Sequence, residues 1–394
     1  MIFQTLDDKS ECIGIYADGQ LFFDNFPEDL TKTWKYTGSL RDRDVDYAWM
    51  RVQGATMAEV APEHLQEPLE RAQKRLAAYV KSFKLAKINM RDHCIFDLVP
   101  QDFLKEFCEI KNQITEHVFD TYDEPECYSH LLSVERLLHK LTYHNLNLNT
   151  QDCKNLFMSS MSRANAQRVM NGPRYIDYNI FGTVTGRLST NPGSFPILTL
   201  QRGYRKMIKP HNEWFVSLDY NGAELRTLLA LSGEDQPDED VHDWNMRNIF
   251  KFSLTREEAK TTIFSWLYNP ESKKKIANIY DRDKLLEKHY IDGYVSTPFG
   301  RHIQVDSRRA FNYLIQSTTA DVVLERAVAL DKFLEGKKSF VSHIVHDEIV
   351  LDMTDEERSL IPEIKEIFAT NTLDTFMVNL RAGKDYLDLK DLNL

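Results

Sequence analysis

The rhythm of apolar positions changes near Pro173. Before it, residues 62–84 carry apolar side chains at helical spacing among strong helix formers. Further helices are predicted over 100–117, 126–146 and 150–170. Thr150 is placed to cap the last of these, and Asn171-Gly172-Pro173 stops it. Ahead of this helical stretch, CIGIYADGQLFF reads as two short strands around an Asp-Gly turn. After Pro173, RYIDYNIFGTVTGRLST is rich in aromatic and β-branched residues, with glycines at turn positions. EWFVSLDY (213–220) is a buried-type strand carrying Asp219 at its end, followed by a helix that Gly233 closes. Residues 255–270 form a helix capped by Thr255 and stopped by Asn269-Pro270. A long helical region starts at Ser307 and ends at Gly336, and residues 339–353 read as two strands around a turn at HDE. The expected class is α+β, with acids at the ends of strands.

The chain has 394 residues, room for two or three domains, and an ordinary globular composition. It has no apolar run near the roughly 20 residues of a membrane span, and its N-terminus does not read as a secretory signal. The expected location is cytoplasmic, in the host cytoplasm if the source is viral. Five cysteines (Cys12, Cys94, Cys108, Cys127 and Cys153) are odd in number, widely spaced and free of C-x-x-C. Reduced packing thiols are expected, with neither a disulfide framework nor a zinc site. The net charge of −11 by itself speaks against nucleic acid. Local basic clusters qualify this: Arg202, Arg205, Lys206 and Lys209 in one segment, Lys273 to Lys275 in another. Each is either a solvated face or a phosphate contact.

Two carboxylates stand out by position. Asp219 ends a buried strand and Asp347 sits in a hairpin turn. Acids held rigidly by neighbouring strands suit two divalent cations about 3.5–4 Å apart, an arrangement for in-line attack on phosphorus. Mg²⁺ fits such a site because it takes its remaining ligands from water and phosphates. Alone, Asp219 reads as well as a helix N-cap, and HDE is a weak motif. In the helix 255–270, Arg256, Lys260, Phe264 and Tyr268 recur every four residues and share one face. Two cations and two rings on one face suit a nucleoside triphosphate; an ordinary amphipathic helix is the plainer alternative.

Taken together, these segments resemble DNA polymerases of family A, the DNA polymerase I family. DYNGAELR (219–226) is similar to the family's first palm motif, and HDE (346–348) to its second. R-x3-K-x3-F-x3-Y (256–268) resembles the fingers helix, and DVH (240–242) the Asp-Ile-His before it. TGRLST (185–190), GYVSTPFGR (293–301) and Arg308, Asn312 and Gln316 with TTAD after them also match, all in the family's order. The resemblance is strong over 174–394, rests on helical character over 62–173, and does not cover 1–60. It implies a right-hand polymerase: a helical thumb over 61–173, a palm of antiparallel sheet over 174–233 and 293–394, and shortened helical fingers over 234–292. Residues 1–60 form a small α/β piece of unknown role.

The resemblance implies roles residue by residue. Asp219, Asp347 and the backbone carbonyl of Tyr220 would bind two Mg²⁺ ions, with Mn²⁺ as the substitute, and Glu348 would support them. Arg256, Lys260 and His242 would meet the triphosphate, with Lys260 also protonating the leaving pyrophosphate. Phe264 would stack on the dNTP, Tyr268 would guard the templating position, and Glu224 would exclude a 2′-hydroxyl. Phe264 in place of Tyr resembles members that exclude dideoxynucleotides. Thr185, Arg187, Arg308, Asn312, Gln316 and His346 would track the DNA primer-template through its minor groove.

The chain departs from the family at Asn269-Pro270, where Gly is usual, at Gly222, where Gln is common, and at Ser317, where Gly is usual. It shows no Asp-x-Glu on an N-terminal strand, so no proofreading exonuclease is expected, and its size leaves no room for a 5′-nuclease. The lean chain fits a bacteriophage enzyme. Its acidity implies a replisome or processivity partner. Rival readings are a single-subunit RNA polymerase, against which Glu224 and Phe264 argue, and a catalytically inactive DNA-binding scaffold, against which the intact acids and cations argue.

Overall fold

The computed structural model describes residues 1–9, 12–151, 167, 169–269, 276 and 279–392. Most of the helix expected over 150–170, with Cys153, and also Pro270 and Lys273 to Lys275, lie outside the described residues. The chain forms two compact units, Met1–Leu132 and Ser133–Leu394.

The first unit opens with an antiparallel sheet of β1 (Phe3–Lys9), β2 (Cys12–Ala17) and β3 (Gln20–Phe22). Asp18 and Gly19 both take positive φ, the conformation a tight Asp-Gly hairpin needs. Two amphipathic helices follow, α1 (Glu63–Leu85) and α2 (Gln101–Thr121). Trp34 and Ala48 share one apolar core with Leu69, Phe83, Phe103 and Ile114 of these helices. The buried Gln4 side chain donates to Asn112 and Thr115 of α2, at 3.0 and 3.1 Å. The boundary between the compact units falls at 132/133. A three-stranded sheet this short needs the helices to cover its apolar face.

The expectation of reduced thiols is also corrected. Cys12 and Cys94 are joined by a disulfide, with Cα atoms 5.9 Å apart, while Cys108 and Cys127 are buried. A pair 82 residues apart leaves no local signal in the sequence.

Helix α3 (Tyr128–Thr142) leads into the second unit. Its centre is a five-stranded antiparallel sheet built on β4 (Trp214–Tyr220). The hairpin β5 (Phe340–Val345) and β6 (Glu348–Met353) lies on one side of β4, with β6 paired to it. On the other side lie β7 (Val378–Gly383) and the short β8 (Lys390–Asp391).

Around this sheet run α4 (Ala223–Ser232), α5 (Val241–Asn248), α6 (Arg256–Tyr268) and α7 (Ser307–Phe333). A second core joins them through Leu225, Leu228, Ile263, Trp266, Phe311 and Leu314. Each such side chain contributes about 1.5–3 kcal/mol by leaving water. Thr255 caps the start of α6, as the sequence implied, and Glu258 completes a capping box with it. Burial of Ala259, Ile263, Trp266 and Leu267 fixes the roll of α6 and leaves the Arg256–Tyr268 row on the adjoining face. Among the described residues no helix is long and apolar enough to cross a membrane.

Three sequence motifs meet at one buried ion pair. Arg301 donates to both carboxylate oxygens of Asp321 on α7, at 2.7 and 2.8 Å. Gly186, at φ +73°, lies against that guanidinium, where a Cβ would come within 2.6 Å of Arg301 Cζ. Asp321→Ala is expected to cost about 3–5 kcal/mol in denaturant unfolding, because it strands a buried cation. A loss below about 1 kcal/mol would mean that water reaches Arg301.

Candidate active site

The site begins with the register of the central sheet. Asp219, near the end of β4, lies opposite Glu348 on β6 and Asn379 on β7. Asp347 occupies the two-residue turn between Val345 and Glu348. Burial, with the charges of Glu348 and Asp347 beside it, pushes the Asp219 carboxyl up to about 6. Burial, reinforced by the charge of Glu224, also raises Asp347. His346 takes φ +55° in the turn, where such a hairpin favours glycine. The helix-cap alternative for Asp219 is not realised, since Gly222, in the left-handed conformation, holds the N-cap position of α4.

Glu348 is held differently from the two aspartates. It accepts from the Ser217 hydroxyl and from the Tyr386 hydroxyl at 2.8 Å, and Arg381 stands 3.5 Å away. These partners fix it beside Asp219. The Tyr220 side chain is buried; its ring stacks on Phe368 and its hydroxyl donates to the Phe368 carbonyl at 2.6 Å. Any role of Tyr220 at the acids falls to its main chain.

Glu224, buried in the first turn of α4, is the junction between the acids and α6. It accepts from Arg187 on one oxygen and from the Tyr268 hydroxyl on the other. Gln316 of α7 bonds to the same tyrosine. Phe264 stacks on Tyr268 with ring centres 6.1 Å apart, and the His242 ring lies 6.0 Å from Phe264. His242 is buried, which lowers its pKa, and its Nδ1 has no partner among the described residues. Arg256 pairs with Asp240 at 2.7 Å. Lys260 is exposed on the same helix face, and its charge reaches His242.

The remaining expected residues are spread more widely. Thr185 is buried next to Gly186, Arg308 and His346 are exposed, and Asn312 is half-buried with its Oδ1 unpartnered among the described residues. Arg308, Asn312 and Gln316 recur every four residues of α7, along one face. The basic segment after Arg202 is largely engaged with the C-terminal stretch. Arg205 stacks on Tyr386, and Lys206 and Lys209 pair with Asp388 and Asp385.

Sequence reasoning missed Asn221, Arg226, Asp240, Arg301, Asp321, Arg381 and Tyr386. A signal existed for five of them, which lie inside DYNGAELR, DVH, GYVSTPFGR and TTAD; Arg226 and Asp321 are also charges at buried helical positions, and Arg301 follows a turn glycine.

Among the described residues no three His, Cys, Asp or Glu side chains gather closely enough to hold an ion unaided. The donor set still fits a hard divalent cation. Asp219 feels Glu348 and Asp347 against the single opposing charge of Arg381. Two oxygen-donor acids with open positions suit Mg²⁺, which completes its shell from phosphates and water.

The chain is similar to known DNA polymerases. Residues 132–300 match the family model of DNA polymerase family A. DNA polymerase I of Chloroflexus aurantiacus is 25% identical, over 56% of this chain and 30% of its own length. The thermostable DNA polymerase I of Thermus aquaticus is 27% identical, over 56% of this chain and 33% of its own. The DNA polymerase of Mycobacterium phage D29 is 29% identical, over 36% of this chain and 29% of its own. The chain thus spans about a third of the length of these relatives. The polymerase domain of Pol1 from M. smegmatis, solved with DNA primer-template and dNTP, is similar with a TM-score of 0.57 at 15% identity. That match covers 74% of this chain and 77% of the other, and it shows the α+β fold of a polymerase domain. Residues 132–300 are thus similar to DNA polymerase family A. The family model covers Asp219, Glu224 and the α6 row, while Asp347 lies beyond it.

The raised Asp219 carboxyl sets a pH dependence. Its folded pKa of about 6 exceeds the ordinary aspartate value near 4, so the folded chain holds this proton more tightly than the unfolded one. Ionised Asp219 therefore weakens the fold above about pH 6, and the penalty fades as pH falls toward 4. In EDTA, Asp219→Asn is expected to stabilise by up to about 3 kcal/mol near pH 7.5 and by almost nothing near pH 4. Urea denaturation across that range measures it, and a gain independent of pH would rule out ionisation as the cause.

Proposed function

We propose that this chain is a template-directed DNA polymerase that adds deoxynucleotides to a primer 3′ end. The observation that carries the reading is the junction at Glu224. Through it the cation-and-ring face of α6 is bonded to the element that follows Asp219, within charge reach of Asp347. A nucleotide lying along α6 would meet the acids with its phosphates.

On this reading, Asp219, Asp347 and the main-chain carbonyl of Tyr220 hold two divalent ions, and Glu348 keeps Asp219 in place. When bound, the ions lower the pKa of the attacking 3′-hydroxyl and stabilise the leaving oxygen. Arg256, Lys260 and His242 bind the triphosphate, and Lys260 hands a proton to the departing pyrophosphate. Phe264 offers a ring to the nucleotide. Glu224, pinned by Arg187 and Tyr268, fills the space that a 2′-hydroxyl needs. Tyr268 closes the templating side. Arg187, Arg308, Asn312, Gln316 and His346, with Thr185 behind them, contact acceptors common to all base pairs. The sheet of β4 to β8 serves as palm, the helices around α6 as fingers, and α1 to α3 contribute to the thumb.

Labelled-primer extension with Mg²⁺ tests this. Wild type is expected to extend with deoxynucleotides, EDTA to stop it, and Asp347→Ala to lose about 10³-fold or more. Glu224→Ala is expected to narrow the preference for deoxy- over ribonucleotides by roughly ten- to hundredfold. A wild type that prefers ribonucleotides would favour an RNA polymerase. Bound primer-template with no extension would favour a scaffold.

We also read the chain as lacking proofreading. The acids of β1 are occupied: Asp7 by Lys9 and the Ile95 amide, Asp8 by Thr37, Gly38 and Ser39. A mismatched 3′ nucleotide should therefore persist, and its metal-dependent release would refute this. The net charge of −11 further supports reliance on a processivity partner, so the chain alone should make short products at physiological salt. Long products from the chain alone would refute that.

A further inference from the structure

Between the first palm-like motif and α6 lies a relay of polar side chains that the roles above do not use. Asp240 is its centre. Its Oδ2 accepts from Arg256 Nη2 at 2.7 Å and from Asn221 Nδ2 at 2.8 Å. Its Oδ1 accepts from the His242 and Asp243 amides at 2.9 and 3.1 Å, which caps α5. Burial opposes ionisation of this carboxyl, yet the Arg256, Asn221 and Asp243 donors hold it well below the usual carboxylate range.

The relay is locked to the strand carrying Asp219. The Asn221 side-chain oxygen accepts from the Val241 amide at 2.9 Å. Arg226, fully buried, donates to the carbonyls of Asn221, Pro237 and Glu239 at 2.8, 3.0 and 2.8 Å. Gly222 lets the two segments approach: a Cβ there would stand 2.5 Å from Val241 Cγ1, and its φ of +69° disfavours other residues. Arg256 also faces Asp243 at 3.4 Å and Glu257 at 3.1 Å, both more exposed than Asp240.

We infer that Asp240 is the positioning residue for the triphosphate cation Arg256, and that Asn221 couples that cation to the segment following Asp219. This rests on the polymerase reading above. An unrestrained arginine samples many rotamers, and a charge-assisted bond to a fixed acid selects one. Asp243 and Glu257, nearer solvent, give way to phosphate, while Asp240 keeps its bond and aims the remaining guanidinium donors. His242 shares the restraint because Asp240 caps the helix on which it lies.

The test is steady-state extension kinetics. Asp240→Asn keeps the shape but loses the charge-assisted bond. It should raise the KM for the incoming deoxynucleotide about tenfold, with kcat changed less and primer-template Kd unchanged. In an Arg256→Ala background the same substitution should have almost no further effect, because Asp240 acts through Arg256. Asp243→Asn should leave KM unchanged or lower it. Asn221→Ala, which spares the carboxylate, should raise KM by a smaller factor and likewise lose its effect in the Arg256→Ala background. An unchanged KM in Asp240→Asn, or an equal rise in both backgrounds, overturns the inference. If Asp240→Asn does not fold, Asn221→Ala decides alone by the same criteria. Wild-type extension checks the functional reading independently, so its absence and an unaltered KM are separate failures.

Discussion

The pairing of β4 with a strand on each side is the constraint on which the candidate site rests. It sets Asp219 opposite Glu348 and Asn379 and brings the turn bearing Asp347 to the same end of the sheet. A shift of one residue in either register would turn these side chains to the opposite face. The apolar residues of β4, Phe215, Val216 and Leu218, are almost wholly buried, so the register is held by packing on both faces. The sheet thereby buries Asp219 and sets it beside the charges of Glu348 and Asp347, and together these raise its carboxyl.

Charge gathered in this way must be offset locally, and around the site arginines do so. Arg187 meets Glu224, Arg381 stands by Glu348, Arg256 meets Asp240 and Arg301 meets Asp321. The planar guanidinium can satisfy two acceptors at once with little loss of freedom, which suits enclosed pairs. Arg226 extends this to the main chain, where it holds three carbonyls in place of a carboxylate. Lys260, by contrast, stays exposed on its helix, free for a ligand or solvent. The acidic total charge and a cation-bearing site are thus compatible, because the buried Arg226 and Arg301 serve the fold while Lys260 stays exposed.

Much of the secondary structure was legible from local pattern. The strand through Asp219, the Gly233 stop, the Thr255 cap and the hairpin over 339–353 follow from periodicity and turn chemistry, which neighbouring residues alone decide. The row from Arg256 to Tyr268 also follows, since helical geometry fixes its spacing. The order of the motifs carried the resemblance to family A polymerases, because the spacing of so many short segments survives in the linear chain.

Tertiary structure decided the rest. No local rule joins Cys12 to Cys94, attaches the first strands to the helices after them, or brings Gly186, Arg301 and Asp321 to one point. Nor does one make Asp240 the acceptor for both Asn221 and Arg256. These contacts unite residues far apart in sequence, so they depend on how sheet and helices pack. The amino-acid sequence determines which groups are present and which face of each element they share. Only the packed fold determines which of them become partners, because burial makes an unpaired charge costly and so selects the pairing.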